Sequence, residues 1–173
     1  MMLQACRPRE VRGTRPLAFS LEYDAFRELH LDVYLRYARV RTGEWGRATR
    51  CVSSALESLR LCWTTILRSD RPAARAWKLL SEQADELSTC SQGHGWNLHC
   101  LLQTEHADAV LLHRRLGLSV ERTAGLMGLD KYALRALLKS ADRDLDKVPR
   151  CLAPQVHPPS GGGARNGRGC TPG

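Results

Sequence analysis

Apolar residues recur every three or four positions in the first part of the chain, a spacing that places side chains on one face of an α-helix. The first series stops just before Gly43, and glycine commonly ends a helix because it tolerates a left-handed backbone. We therefore predict an amphipathic helix that ends at Gly43. Its predicted inward-facing residues are Phe26, Leu29, Val33, Tyr37 and Val40.

Two more stripes with the same period follow. We predict a second helix from Trp45 to Leu67 and a third that starts near Ser69, Asp70 and Pro72, because proline favours the first turn of a helix. The inward-facing residues of these helices are Ala48, Val52, Ala55, Leu59, Trp63 and Ile66, then Ala73, Trp77, Leu80, Ala84 and Leu87. Helices of this kind bury their apolar faces against one another, so both tryptophans are assigned to the core.

The second part of the chain contains shorter periodic segments. We predict helices over residues 98–102, 105–116, 119–127 and 130–145. Gly117 ends the second of these, and Gly128 makes the turn between the last two. Ser119 and Asp130 are suitable N-caps, because short polar side chains can satisfy the free N–H groups of a first helical turn.

The pattern as a whole predicts an all-α fold, because no segment shows the alternation typical of a strand. It contains two small helical domains joined by a short linker, with disordered termini rich in arginine, proline and glycine. The predicted segments are a disordered extension over 1–20, a helical domain over 21–87, a linker over 88–95, a helix-turn-helix domain over 96–148 and a disordered tail over 149–173.

The formal net charge of the 173 residues is +8, but much of the excess lies in the two terminal segments. Residues 1–20 hold four arginines and one glutamate, and residues 149–173 hold three arginines and no acidic residue. Charge alone therefore gives little support for nucleic-acid binding. The sequence shows neither a membrane-spanning apolar run nor a signal peptide, so we expect a cytoplasmic protein that does not contact a membrane.

The seven cysteines are scattered and odd in number, which favours reduced thiols. Cys90, His94, His99 and Cys100 lie within eleven residues and contain the donor types that zinc prefers. The adjacency of His99 and Cys100 argues against simultaneous tetrahedral ligation, and a polar linker is the alternative. We expect no metal or cofactor. No phosphate-binding glycine loop or nucleophile motif is present, so we do not expect an enzyme.

Residues 120–139 have several properties that a helix-turn-helix requires. Ala124 is small where two helices would cross, and Gly128 lies where the turn needs a left-handed backbone. Leu129, Leu134 and Leu137 are the predicted apolar anchors. The residues that point away from this seam, and are predicted to bind DNA, are Lys131, Tyr132, Arg135 and Lys139. The alternative is a helical hairpin whose polar face is merely solvated.

The order of motifs in this region is distinctive. Glu105 opens a leucine-rich helix, Gly117-Leu118-Ser119 precedes an alanine-containing helix, and Leu126-Met127-Gly128-Leu129 precedes the last helix. This order resembles the promoter-binding C-terminal domain of bacterial extracytoplasmic-function sigma factors. The first block resembles the N-terminal domain of that family in Phe26-Arg27-Glu28-Leu29-His30 and in Ala76-Trp77-Lys78-Leu79-Leu80. Together the resemblance covers residues 21–147.

The resemblance implies a transcription initiation factor or regulator. Its C-terminal domain would bind double-stranded promoter DNA at the −35 element, and its N-terminal domain would bind core RNA polymerase, with an anti-sigma factor as a further partner. It also makes Arg36, Tyr37 and Arg41 candidates for a surface that faces polymerase or DNA.

The chain also departs from the family. Arg47-Ala48-Thr49-Arg50 stands where the family has an acidic, glutamine-containing segment, and Leu137 and Ser140 stand where its recognition helix commonly has arginine. The alternative function is therefore a sigma-like helical interaction module, an adaptor or decoy that does not itself initiate transcription.

Overall fold

The computed structural model describes residues 17–88 and 98–148, and within them the chain is all-helical, as predicted. The predicted disordered segments lie almost wholly outside these ranges, as does most of the predicted linker. The helices are α1 Leu17–Thr42, α2 Trp45–Leu67, α3 Pro72–Leu87, α4 Leu98–Leu101, α5 Thr104–Val110, α6 Val120–Met127 and α7 Lys131–Asp146. A π-helical turn, Leu111–Arg115, continues α5.

The described residues divide into two compact units. The first contains residues 17–88 together with 124–130, and the second contains 98–123 together with 131–148. This division differs from the predicted domains because the end of α6 and the following turn group with α1, α2 and α3. The physical reason is a close approach of Gly128 to Ala74, described below.

Helix α1 buries an aromatic face in the first unit. The fully or nearly fully buried residues of this face are Tyr23, Val33, Tyr34, Tyr37 and Ala38. Leu29 does not belong to it, because its side chain is 66% exposed, so the prediction that it faces inward is wrong. The buried face is rotated toward Tyr34 and Arg41, neither of which was among the predicted inward-facing residues.

Helices α2 and α3 complete this core. Helix α2 has the predicted limits, and all six residues of its predicted stripe are buried. Trp63 lies 5.0 Å from Phe26 between ring centroids, and Trp77 lies 4.6 Å from Tyr37, which confirms both tryptophans as core residues.

Helix α3 begins at Pro72, as predicted. Its N-cap residue is Arg71, and no side chain caps the first turn. Ser69 instead donates a hydrogen bond from its Oγ to the carbonyl of Ile66, at 2.6 Å. Ser69 therefore closes the end of α2, and the free N–H groups at the start of α3 have no side-chain acceptor.

The second unit is built on α5 and α7. Val110, Leu111 and Leu112 are buried at the junction of α5 with the π-helical turn, and Leu134 of α7 is fully buried. Gly117 has a φ of +71°, which fits its predicted role at the end of this segment. The backbone N–H of Arg122 donates to Ser119 Oγ at 3.1 Å, so the N-cap predicted for α6 is confirmed.

Candidate nucleic-acid interface

Helix α7 has one buried face and one cationic face. Leu134, Leu138 and Ala141 are buried within the second unit. The exposed part of the helix presents four basic residues at intervals of four, which are Lys131, Arg135, Lys139 and Arg143. We call these four residues the basic stripe. With a rise of 1.5 Å per residue, the stripe extends over about 18 Å along one side of the helix.

All four residues predicted to bind DNA from the sequence are exposed in the structure. The stripe contains three of them, and the fourth, Tyr132, is 69% exposed. The Nζ atom of Lys131 lies 5.1 Å from the centroid of the Tyr132 ring. The sequence interpretation missed Arg143, although its four-residue step from Lys139 could have revealed it.

The charge of the stripe is available to a ligand. Within the described residues, no carboxylate forms an ion pair with Arg135, Lys139 or Arg143. Two acidic residues of α7, Asp142 and Asp144, are instead engaged elsewhere in the second unit. A solvated, unpaired row of cations is the arrangement that attracts phosphate groups.

Asp142 connects α7 to the π-helical turn. Arg114 approaches it through both terminal nitrogens, with one N–O distance of 2.6 Å and another of 2.8 Å. This two-pronged hydrogen bond holds the pKa of the Asp142 carboxyl below its ordinary value. The pair links α7 to the π-helical turn, while the burial of Leu134, Leu138 and Ala141 keeps the basic stripe on the solvent side.

Asp144 makes a second set of contacts. Its Oδ1 accepts a hydrogen bond from Lys147 Nζ at 2.9 Å, which lowers the pKa of the Asp144 carboxyl. Its Oδ2 lies 3.5 Å from Nδ1 of His106 on α5. Both acidic groups are thus engaged by neighbours within the second unit, and Arg143 of the stripe also contributes to the lowered pKa of Asp144. A third acidic residue of α7, Asp146, is exposed and lies three residues after Arg143.

The turn before α7 contains Gly128, whose φ is +66°, as the helix-turn-helix pattern predicts. The Leu129 N–H donates to the carbonyl of Ala124 at 2.8 Å and closes the turn. A Cβ atom on Gly128 would lie 2.5 Å from both the Cβ and the backbone nitrogen of Ala74 on α3. The position therefore needs glycine for two reasons, the backbone conformation and the space.

The structure corrects two candidates in the first unit. Tyr37 is 0% exposed and Arg41 is 4% exposed, so neither lies on a surface that could face polymerase or DNA. Arg41 pairs with Asp85 of α3 and donates a hydrogen bond to Tyr37 Oη at 3.2 Å. Arg36 is exposed and lies 3.6 Å from Asp32, one turn earlier on α1. Of the three candidates, only Arg36 is accessible.

One indication of this burial is present in the sequence. Arg41 lies four residues after Tyr37, which places both on the same face of α1. The partner of Arg41, Asp85, is 44 positions away in the sequence, and only the packing of α3 against α1 brings the two together.

The candidate zinc residues lie only partly in the described chain. Cys90 and His94 fall outside it, Cys100 is exposed, and His99 Nε2 lies 2.8 Å from Oδ1 of the buried Asp108. In residues 17–88 and 98–148, no three His, Cys, Asp or Glu side chains are grouped as a metal site requires. The observed partner of His99 is thus a carboxylate that links α4 to α5.

Comparisons with protein-family models, with curated proteins and with solved structures found no match for this chain. Across the described ranges, no helix combines the length and the apolar character needed to cross a membrane.

Proposed function

We propose that this protein is a DNA-binding regulator of transcription whose α7 docks on duplex DNA through the basic stripe. The observation that carries the proposal is the separation of faces on α7, where an apolar side is buried and four cations are exposed, three of which form no ion pair within the described residues. An α-helix fits the major groove of B-form DNA, and a cationic face supplies the salt-dependent attraction to its phosphates.

The residues of the stripe would have different roles. Arg135 lies near the middle of the exposed face, and its guanidinium can donate two parallel hydrogen bonds to the edge of a guanine. Lys139 and Arg143, farther along the helix, would contact phosphates and position α7 without selecting a sequence. Lys131 lies in the first turn of α7, where the helix dipole adds positive potential.

The resemblance to extracytoplasmic-function sigma factors motivates a more specific form of the proposal. In that form the DNA is a promoter, core RNA polymerase binds the first unit, and an anti-sigma factor is a further partner. Arg36 remains a candidate for the polymerase-facing surface because it is exposed on α1.

The proposal is tested by selecting duplexes from a randomised pool with the full chain at two salt concentrations. A protein that contacts bases retains a sequence preference as salt rises, whereas a protein that binds only phosphates loses affinity for all duplexes together. A pull-down with core RNA polymerase then tests the more specific form. Sequence-selective binding without polymerase capture would support a regulator and contradict an initiation factor.

A second candidate function is a helical interaction module that binds a protein partner through the first unit. The observation in its favour is a cleft of about 510 Å³ between α1 and α2. Leu31, Leu35 and Leu56 contribute apolar surface to this cleft, and Arg27 and Glu57 contribute charge. If the chain selects no duplex from the randomised pool but captures core RNA polymerase in the pull-down, the result would favour this function over DNA binding.

A further inference from the structure

A second cationic feature lies in the first unit, at the corner where α2 leads into α3. It is a cleft of about 430 Å³ lined by Arg68, Ser69, Asp70, Arg71, Ala74, Arg75 and Lys78. Four of these side chains are cationic and one is a carboxylate. We call this feature the corner cleft.

The positive charge of the corner cleft is largely uncompensated. Within the described chain, no carboxylate forms an ion pair with Arg68, Arg71 or Arg75, and Lys78 Nζ lies 4.0 Å from Glu82 Oε1, at the limit of a salt bridge. Three arginines at one concave site repel one another unless an anion lies between them. The arrangement therefore lowers the free energy of a bound anion more than an isolated surface arginine would.

The backbone adds to this potential. Helix α3 is 16 residues long, has no acidic residue in its first turn and has no side-chain cap. Its N-terminal dipole thus contributes positive potential that no acidic side chain in that turn offsets. The arginine side chains and the helix terminus act at the same corner.

The lining also restricts the chemical class of ligand. Among the described residues that line the corner cleft, four carry a positive charge and only Ala74 has an apolar side chain, so its charged groups favour an anionic ligand. The volume lies in the range of small-molecule sites and exceeds the needs of a single phosphate group. Guanidinium groups bind phosphate oxygens through paired hydrogen bonds.

We propose that the corner cleft binds a small polyanion that carries two or more linked phosphate groups. The observations favour a compact ligand over a nucleic-acid duplex, because the cations that line the cleft come from two elements that meet at a corner, with Arg68 at the end of α2 and Arg71, Arg75 and Lys78 at the start of and along α3. The proposal goes beyond DNA docking through α7 and does not depend on it.

The test is a calorimetric titration of the full chain with inorganic tripolyphosphate at physiological salt. We expect saturable binding of one molecule per chain. The double variant Arg71→Gln/Arg75→Gln should lose about tenfold or more in affinity, because it removes two charge-assisted contacts. The control Arg39→Gln/Arg50→Gln removes the same charge from exposed positions on α1 and α2, and it should stay within about twofold of the parent affinity.

Circular dichroism establishes whether each variant is folded. If the double variant does not fold, Arg68→Gln serves as an independent variant of the corner cleft and should also weaken tripolyphosphate binding. The same proteins are then titrated with duplex DNA, whose affinity should change little in the corner-cleft variants. Absence of saturable tripolyphosphate binding, or an equal loss in the control, would overturn the proposal. A parallel loss of duplex affinity would also overturn it, since the corner cleft would then belong to a DNA surface.

Discussion

The requirement for glycine at position 128 can be separated into two contributions by comparison with Gly117. Both residues have a positive φ, +66° and +71°, so an alanine at either position adopts an unfavourable left-handed backbone. This conformation costs roughly 1 kcal/mol for a residue with a side chain. The new Cβ at position 117 would meet no atom within 4 Å, whereas at position 128 it would meet three atoms of Ala74 within 2.7 Å.

We expect Gly117→Ala to lower the free energy of unfolding by about 1 kcal/mol. Gly128→Ala should lower it by about 2–4 kcal/mol, because overpacking against α3 adds roughly 1–3 kcal/mol to the backbone cost. Two of the three atoms it would meet belong to the backbone of Ala74, so rotation of a side chain cannot relieve the overlap.

The assay is urea denaturation of both variants and the parent chain, monitored by far-ultraviolet circular dichroism. Equal destabilisation of the two variants, within about 0.5 kcal/mol, would refute the close packing of the turn against α3. A large loss in Gly117→Ala alone would show that the constrained turn lies elsewhere.

Three further predictions concern individual side chains. Hydrogen bonding from Arg114 lowers the pKa of the Asp142 carboxyl in the folded chain below its ordinary value. The ionised carboxylate therefore stabilises the fold fully above the ordinary pKa, and this stabilisation is lost as the pH falls through the lower pKa of the folded chain. Asp142→Asn should therefore cost about 0.5 kcal/mol at pH 7 and progressively less as the pH is lowered into the acidic range, and a cost that stays the same in urea titrations across that range would contradict the pairing. Arg41→Ala should lower the free energy of unfolding by about 2 kcal/mol, because Arg41 is buried and hydrogen-bonded, whereas Arg36→Ala should lower it by less than about 0.5 kcal/mol. Similar small losses in both variants would contradict the burial of Arg41. Burial raises the pKa of the Cys51 thiol to about 11, so iodoacetamide should modify the exposed Cys100 in the folded chain and Cys51 only after unfolding. Peptide mass mapping measures both, and rapid modification of Cys51 in the folded chain would contradict its burial.

The sequence was most informative where the residue pattern was simple. Helix α2 has the predicted limits because its apolar residues repeat without interruption between two breaks in the pattern. Ser119 and Gly128 were also identified correctly, since each satisfies a local requirement of the backbone. Local physical rules decide such positions, and a sequence displays them directly.

The sequence was least informative where burial depends on distant partners. Arg41 and Tyr34 define the buried face of α1 through contacts with other helices, so a count of apolar residues alone gave too much weight to Leu29. The contact between Gly128 and Ala74 and the π-helical turn after α5 are likewise set by packing that local spacing does not specify.

The candidate interface shows both situations. Local spacing identified three residues of the basic stripe and could have identified Arg143. It could not show that Asp142 pairs with Arg114 and that Asp144 contacts His106 and Lys147, so that neither carboxylate forms an ion pair with the stripe. The charge available to a ligand therefore became visible only in the structure.

The central claim, that the basic stripe docks α7 on duplex DNA, is tested most directly by fluorescence anisotropy titrations of Arg135→Ala, Lys139→Ala and the surface control Arg50→Ala. The duplex is the best one from the randomised pool, and its single-base variants serve as competitors. Since alanine favours helix and both stripe positions are exposed, each variant should remain folded, which circular dichroism verifies. The account predicts that Arg135→Ala loses roughly 1–3 kcal/mol of binding free energy and relaxes the preference at one base pair. Lys139→Ala should weaken binding to all sequences alike and reduce the salt dependence by about one counterion, with Arg50→Ala unchanged. Unchanged affinity, specificity and salt dependence in both folded stripe variants would contradict the claim and favour the interaction module.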